Sequence, residues 1–146
     1  MKEKIKFGNK FNPERGRIFQ DRAKDILSEY FRTKFHPSEF SIEIGNPPKN
    51  HKFDLVSLDK KYIGECKNHS WTKTGNVPAA KMALLNEAAF YLLHLESGVK
   101  KFIVMRKDVH RKRKETLAEY YYRINHHLLK DVFLIEVDNN KLKIIK

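Results

Sequence analysis

The sequence predicts an α/β domain in which a mixed central β-sheet is flanked by helices, and three observations support this fold class. Two short segments near the middle of the chain, residues 52–58 and 61–67, have the composition of β-strands. Two later strand-like segments each follow a longer segment of helical periodicity. A strand, a helix and a strand in this order form a right-handed crossover with parallel strands. The predicted element order is α-β-β-β-α-β-α-β.

The first predicted element is a helix from residue 13 to about residue 32. Asn12 is a favourable N-cap, and Pro13 suits the first helical position. Residues 40–44 follow as a strand of the central sheet, and the proline-containing residues 46–50 are predicted to form a loop. The apolar positions of the helix recur at helical spacing and are Phe19, Ala23, Ile26, Leu27, Tyr30 and Phe31.

Residues 52–58 and 61–67 are predicted to pair as an antiparallel β-hairpin. Asp59 and Lys60 form the turn between them. A loop of two or four residues gives one cross-strand pairing, whereas a loop of three residues shifts that pairing by one position. The length of the turn therefore sets the register of the two strands.

With a two-residue turn, Asp54 lies directly opposite Glu65, and their Cβ atoms are about 4.5–5.5 Å apart. Because side chains alternate along a strand, Lys67 lies on the same face as Glu65, and the Cys66 side chain lies on the other face. The hairpin thus predicts two carboxylates and one ammonium group in a small volume.

The second half of the chain supplies two crossovers and a last strand. The segment after Pro78 is apolar around most of its circumference, which is typical of a helix buried on more than one side. Thr116 and Glu119 form a capping-box signature at the start of the next helix. The predicted elements are a helix over 79–96 that ends before Ser97-Gly98, a strand over 101–105, a helix from 116 to about 129, and strands over 132–137 and 142–145.

Two carboxylates beside a lysine have a recognised chemical use. Like charges this close are unfavourable unless a cation neutralises them, and an incomplete set of oxygen ligands suits Mg²⁺, which keeps several waters. Such a site acidifies a water and stabilises the charge of a phosphoryl transition state, and an adjacent ammonium group supports that charge. Asp54, Glu65 and Lys67 therefore predict phosphodiester hydrolysis, with Mn²⁺ able to substitute for Mg²⁺.

The run Phe53-Asp54, followed by Glu65-Cys66-Lys67, resembles the motif of the PD-(D/E)xK nuclease superfamily, which has the restriction endonuclease-like fold. The resemblance covers nearly the whole chain and implies that Asp54, Glu65 and the main-chain carbonyl of Cys66 bind the metal. It also implies that Lys67 assists the attacking water. Phe53 stands where the family usually has proline.

The first helix carries a further part of the resemblance. Family members often have Gly-x-x-aromatic-Glu in this helix, with the Glu close to the metal. The matching residues here are Gly16 to Gln20, so that an amide replaces the carboxylate. Gln20 can hold a water or a substrate oxygen but adds no charge. The alternative is an ordinary amphipathic helix with Gln20 on its polar side.

Charge predicts a polyanionic partner, and DNA is the expected one. The chain has 30 Lys and Arg against 18 Asp and Glu, a net charge of +12. Six of the nine residues 106–114, the basic loop, are basic, and this loop follows the 101–105 strand at the sheet edge where Glu65 and Lys67 lie. A lysine-rich solvated surface, RNA or an anionic membrane would also account for the charge. The residues predicted to contact nucleic acid are Trp71, Lys73, Lys81, Arg106, Lys107, Arg111, Lys112, Arg113 and Lys114.

The prediction for Trp71 has an alternative, and the composition excludes several classes of site and protein. Trp71 either stacks on an unpaired base or closes the core. Cys66 is the single cysteine, which excludes an internal disulfide and a cysteine-rich zinc site and favours a cytoplasmic location. No apolar run reaches about 18–20 residues, so no membrane span is expected.

The sequence as a whole predicts a single domain over residues 1–146 that acts as a Mg²⁺-dependent DNA endonuclease. Its size resembles that of junction resolvases and minimal restriction enzymes, and this resemblance implies a homodimer. Two alternatives stay open. One is an inactive nucleic-acid-binding module of the same fold, and the other is an RNA-directed nuclease.

Overall fold

The structure is a computed structural model that describes residues 13–146, and the predicted N-cap Asn12 lies outside the described residues. Three helices and seven strands occur within the described part. They are α1 (Pro13–Phe31), β1 (Phe40–Ile44), β2 (Lys49–Phe53), β3 (Leu55–Val56), β4 (Tyr62–Lys67), α2 (Ala79–Leu92), β5 (Lys100–Arg106), α3 (Leu117–Leu129), β6 (Val132–Asp138) and β7 (Lys141–Ile144).

A mixed five-stranded sheet organises the fold, and the strands lie in the order β3-β4-β5-β6-β7. The three central strands are parallel, as the two predicted crossovers require, and both edge strands pair antiparallel to their neighbours. The predicted α/β class with a mixed sheet is therefore confirmed. Parallel pairing places the C-terminal ends of β4, β5 and β6 at one edge of the sheet.

The region before β4 differs from the prediction. β1 does not join the central sheet but pairs with β2 in a separate antiparallel ladder from Phe40 opposite Phe53 to Ile44 opposite Lys49. The predicted loop over 46–50 is thus wrong for its last two residues, and the predicted strand over 52–58 is broken. The chain bends at Asp54, so the part before it pairs with β1 and the part after it pairs with β4.

Two apolar layers cover the two faces of the central sheet. On one face, Phe19, Ala23 and Leu27 of α1 pack against Phe102 and Val104 of β5. On the other face, α2 and α3 pack against an apolar group that includes Ile63, Ile103, Met105 and Leu134. Burial of these side chains supplies the main favourable free energy of folding.

The helix ends follow local chemistry. α3 begins after Thr116, whose hydroxyl accepts a hydrogen bond from the Glu119 N–H at 3.0 Å, and the Glu119 carboxylate accepts one from the Thr116 N–H at 2.9 Å. The predicted capping box is therefore confirmed. α2 ends at Leu92 rather than at residue 96, because the next residues form tighter turns such as the bond from the His94 N–H to the Tyr91 carbonyl. No helix among residues 13–146 has the length and apolar character needed to cross a membrane.

Candidate active site

Asp54 and Glu65, the acid pair, are held side by side by two hydrogen bonds between the chain segments that carry them. The Glu65 carboxylate accepts from the Asp54 N–H at 3.2 Å, and the Asp54 carboxylate accepts from the Cys66 N–H at 2.8 Å. The β3–β4 ladder pairs Leu55 with Gly64, so the next position outward brings Asp54 opposite Glu65. The pairing obtained by counting from the turn is therefore the one that the structure shows.

Side-chain alternation along β4 separates the two faces as expected. Ile63 packs on the α2 and α3 side of the sheet, whereas Cys66 packs with the residues of the α1 side. Glu65 is 7% exposed and Lys67 is partly exposed. The ammonium group of Lys67 lies close enough to lower the pKa of both carboxyl groups of the acid pair.

The acid pair is electrostatically unfavourable in the absence of a cation. Burial and the Asp54 carboxylate raise the pKa of Glu65 well above its ordinary value. Burial also raises the pKa of Asp54, against the opposing effects of the Cys66 N–H and Lys67. Bound Mg²⁺ would remove this repulsion, and carboxylate oxygens are its preferred protein ligands. The donor set therefore fits such an ion.

Glu39 is a third acidic residue near the acid pair, and the sequence analysis did not find it. The negative charge of Glu39 adds to the effect of burial and raises the pKa of both Asp54 and Glu65. The β1–β2 register explains this position, because Phe40 pairs with Phe53 and the next pair outward is Glu39 with Asp54. Glu39 was missed because the pairing of β1 with β2 was not predicted from the sequence. Among residues 13–146, no three His, Cys, Asp or Glu side chains form a group that could hold one metal ion together.

Gln20 lies beside the acid pair. Its side-chain amide donates a hydrogen bond to the main-chain carbonyl of Asp54 at 3.3 Å, while the preceding residue, Phe19, is buried under the sheet. α1 thus carries a polar group to the bend at which the chain passes from β2 to β3. In this arrangement Gln20 holds the Asp54 backbone.

Two histidines and a second lysine lie near Lys67. His69 is buried, and burial together with the ammonium groups of Lys81 and Lys67 lowers its pKa to about 4. His51 stacks on Tyr91, and its pKa is lowered by burial and by Lys67. Both imidazoles are therefore neutral at neutral pH. The predicted nucleic-acid ligand Lys81 is close to the site through its position in the first turn of α2.

The basic loop begins at the edge of the sheet that carries Lys67. The β4–β5 register pairs Lys67 with Met105, so Arg106 follows directly beside the site. The Arg106 guanidinium donates hydrogen bonds to Asn68, at 2.7 Å, and to Ser70. Lys107 forms an ion pair with Asp138 at 3.9 Å. The first two cations of the loop thus also hold neighbouring segments in place.

The other predicted contacts of the loop are exposed. Arg111, Lys112, Arg113 and Lys114 face solvent, and none of them forms an ion pair with a carboxylate of residues 13–146. Lys73 is likewise exposed. These five cations can therefore meet phosphates without first breaking an ion pair within that part of the chain.

Trp71 closes the core rather than projecting from it. The residue is 8% exposed, its N–H donates to the Asp108 carboxylate at 2.8 Å, and its indole N–H donates to the Asp108 carbonyl at 3.0 Å. Of the two interpretations of Trp71, core packing is the one that the structure shows.

Comparison with protein-family models, with curated proteins and with solved structures finds no match to this chain.

Proposed function

We propose that the chain is a metal-dependent nuclease of restriction endonuclease-like fold that hydrolyses phosphodiester bonds in DNA. The observation that carries the proposal is the acid pair, which hydrogen bonds to the main chain of Asp54 and Cys66 hold side by side, with Lys67 two residues beyond Glu65. The exposed cations of the basic loop support a nucleic acid as the substrate, because they lie at the same edge of the sheet.

In this proposal Asp54, Glu65 and the main-chain carbonyl of Cys66 hold Mg²⁺, for which Mn²⁺ substitutes. When bound, the ion would acidify a water and stabilise the negative charge of the phosphoryl transition state. Lys67 orients the attacking water and supports the same charge. Gln20 fixes the Asp54 backbone through its hydrogen bond to the carbonyl, and so keeps the acid pair together. Two copies of the chain, each cutting one strand, would act on duplex regions as a homodimer.

The direct test is an incubation of the purified protein with plasmid, branched DNA, single-stranded DNA and RNA, each with Mg²⁺, Mn²⁺ or EDTA. We expect cleavage of DNA with either metal and none with EDTA. Asp54→Ala and Lys67→Ala should each lower the single-turnover cleavage rate by about a hundredfold or more, because both groups act on the transition state. DNA affinity measured in EDTA should stay close to that of the wild type.

Lys61→Ala is the matched control for Lys67→Ala, because Lys61 is an exposed lysine just before the opposite end of β4. Its cleavage rate should equal the wild-type rate. If Lys67→Ala also cut at the wild-type rate, Lys67 would have no part in the chemistry. Cleavage of RNA alone would assign the chain to the RNA-directed nucleases.

A nucleic-acid-binding module without turnover is the second candidate, and Gln20 is the observation that favours it. The amide stands where the related nucleases often carry a carboxylate, and it is engaged with the Asp54 carbonyl. This candidate predicts DNA binding that is independent of metal and no cleavage with any substrate and metal in the same assay.

A further inference from the structure

Two loops at the edge of the sheet where β4 and β5 end enclose a cleft of about 540 Å³. Residues 70–75, which follow β4, form one wall, and residues 108–113 of the basic loop form the other. The cleft is separate from the acid pair, none of whose side chains lines it. Both walls continue from strands that end beside Lys67 and Met105, so the cleft opens at the edge where the acid pair lies.

The two walls are fixed to each other by hydrogen bonds. His110 contacts the Gly75 carbonyl through Nε2 at 2.7 Å, and its Nδ1 accepts from the N–H groups of Lys112 and Arg113 at 3.1 and 3.0 Å. Because Nδ1 is an acceptor for two donors, the ring proton is on Nε2 and is donated to Gly75. The bonds between Trp71 and Asp108 join the walls a second time. The cleft is therefore preformed.

Arg113 presents a flat cationic surface in this cleft. Its guanidinium carbon lies 5.4 Å from the centroid of the Trp71 ring and 5.6 Å from that of Tyr120, so two aromatic rings support one side of the group. The side chain is nevertheless exposed and forms no ion pair with a carboxylate of residues 13–146. Its outer face is available to a planar partner.

The charge of the walls selects an anion. Lys73, Arg111, Lys112 and Arg113 all line the cleft. Asp108 is the acidic residue of the lining, and its carboxylate already accepts the hydrogen bond from the Trp71 N–H. Four cations against one carboxylate, in a concave surface, attract phosphate groups strongly.

The size and shape of the cleft select a nucleotide without a base-pairing partner. A volume of about 540 Å³ lies within the range of about 300–1,000 Å³ that small ligands occupy. In a duplex, each base is stacked between its neighbours and cannot offer a face to Arg113. Unpaired bases do expose their faces, and they stack on aromatic rings and guanidinium planes.

We propose that the cleft binds an unpaired nucleotide of DNA, whose base stacks on the outer face of Arg113 and whose phosphates lie beside Lys73, Arg111 and Lys112. The preferred substrate is then DNA in which a single-stranded segment adjoins the cleavage point, rather than an uninterrupted duplex. The assignment of DNA as the ligand rests on the proposed function, whereas the preference for an unpaired nucleotide rests on the cleft.

The test uses Trp71, the single tryptophan of the chain, as a reporter inside the cleft. Titrations in EDTA follow Trp71 fluorescence as either an oligo(dT) single strand or a blunt duplex of the same length is added. We expect the single strand to quench the fluorescence and to bind more tightly than the duplex. Arg113→Lys should weaken single-strand binding by roughly fivefold or more, because one stacked base contributes about 1–3 kcal/mol and a lysine keeps the charge but not the plane.

Arg123→Lys is the matched control. Arg123 also lies over the Tyr120 ring, at 5.2 Å, but it pairs with Glu115 and does not line the cleft. This variant should bind both DNA forms as the wild type does, and the melting temperatures of both variants should stay within about 4 °C of the wild-type value. The proposal would be overturned if duplex and single strand quenched the fluorescence equally and Arg113→Lys bound the single strand as tightly as the wild type. Binding of single-stranded DNA without a change in Trp71 fluorescence would also overturn it.

Metal-free binding separates this proposal from the nuclease assignment. A protein that binds single-stranded DNA through Arg113 but cuts nothing with Mg²⁺ or Mn²⁺ would retain the cleft and lose the proposed function. A protein that cuts DNA but shows none of the expected Arg113 effects would retain the function and lose the cleft.

Discussion

At the residue scale, Asp54 is the position where two β-ladders meet. Its neighbour across one ladder is Glu65, and its neighbour across the other is Glu39. The first relation could be predicted from the sequence, because a short turn and strict alternation fix the register of a hairpin. The second could not, because it depends on the pairing of β1 with β2, and the first residues of β2, Lys49 to His51, are polar and were predicted as loop or left unassigned.

The buried imidazole of His69 makes the folded protein sensitive to acid. Its pKa is lowered from 6.5 to about 4 in the folded state, by burial first and then by Lys81 and Lys67. The unfolded chain binds a proton near pH 6.5, but the folded protein does so only near pH 4. The stability that His69 contributes is therefore fully present above pH 6.5 and is lost as the pH falls toward 4, by at most about 3 kcal/mol.

Replacement of His69 by Gln removes this titration. We expect the free energy of unfolding of His69→Gln to fall less steeply between pH 6.5 and 4 than that of the wild type, in urea titrations at several pH values. His127→Gln, at an exposed position of α3, should leave the wild-type curve unchanged. Parallel curves for wild type and His69→Gln would contradict the assignment of the acid sensitivity to His69.

At the element scale, β4, which carries Glu65 and Lys67, is packed tightly against β5. Gly64 pairs with Phe102, and a Cβ at residue 64 would lie 2.1–2.6 Å from three atoms of the Phe102 ring. Phe102 of β5 is fully buried beneath α1, so its ring fills the space that a side chain at residue 64 would need. The absence of a side chain at Gly64 therefore allows β4 to pack this closely against β5.

Gly64→Ala should accordingly destabilise the fold by about 1–3 kcal/mol, which is typical of an overpacked core. For a chain of this size, the melting temperature should fall by roughly 2–12 °C. Phe102→Leu in the same chain should restore part of the loss. Gly98→Ala is the control, because no atom lies within 4 Å of a Cβ at that position. A melting temperature of Gly64→Ala equal to that of the wild type would mean that Phe102 can move freely.

Elements whose signals are local were predictable, and those that depend on distant partners were not. The capping box of α3 involves only Thr116 and Glu119, so the sequence defines its start. α2 was predicted four residues too long, because Leu93 and Leu95 continue the apolar pattern although the backbone has already left the helix. β1 was assigned to the wrong sheet because strand propensity does not identify a partner.

At the scale of the whole molecule, a net charge of +12 should make DNA binding strongly dependent on salt. Each phosphate neutralised on duplex DNA adds about 0.9 to the slope of log affinity against log salt. Replacement of Arg111, Lys112, Arg113 and Lys114 by Gln should therefore flatten this slope by up to about 3.6, measured by fluorescence anisotropy at several salt concentrations. Cleavage at saturating protein should persist, because the acid pair and Lys67 are untouched.

A quadruple variant of equal charge provides the control. Lys34, Lys60, Lys61 and Lys100 are exposed and lie at the opposite edge of the sheet, where β4 and β5 begin. Their replacement by Gln should change the slope much less. Equal slopes for the two variants would show that the charge acts as a general field and that the basic loop is only a solvated surface.

The distances along the chain that separate the bonded residues have a consequence for the order of folding. Eleven residues separate the partners of the acid pair, whereas 35 to 37 residues separate the partners that join the walls of the cleft. Closing the longer loops costs about 1 kcal/mol more entropy, so we expect the acid pair to assemble first. The N–H groups of Cys66 and Trp71 both bond to an aspartate carboxylate, and pulse-labelled hydrogen exchange during refolding should protect Cys66 before Trp71. A chain that is still folding would thus form the acid pair before it forms the cleft that binds DNA.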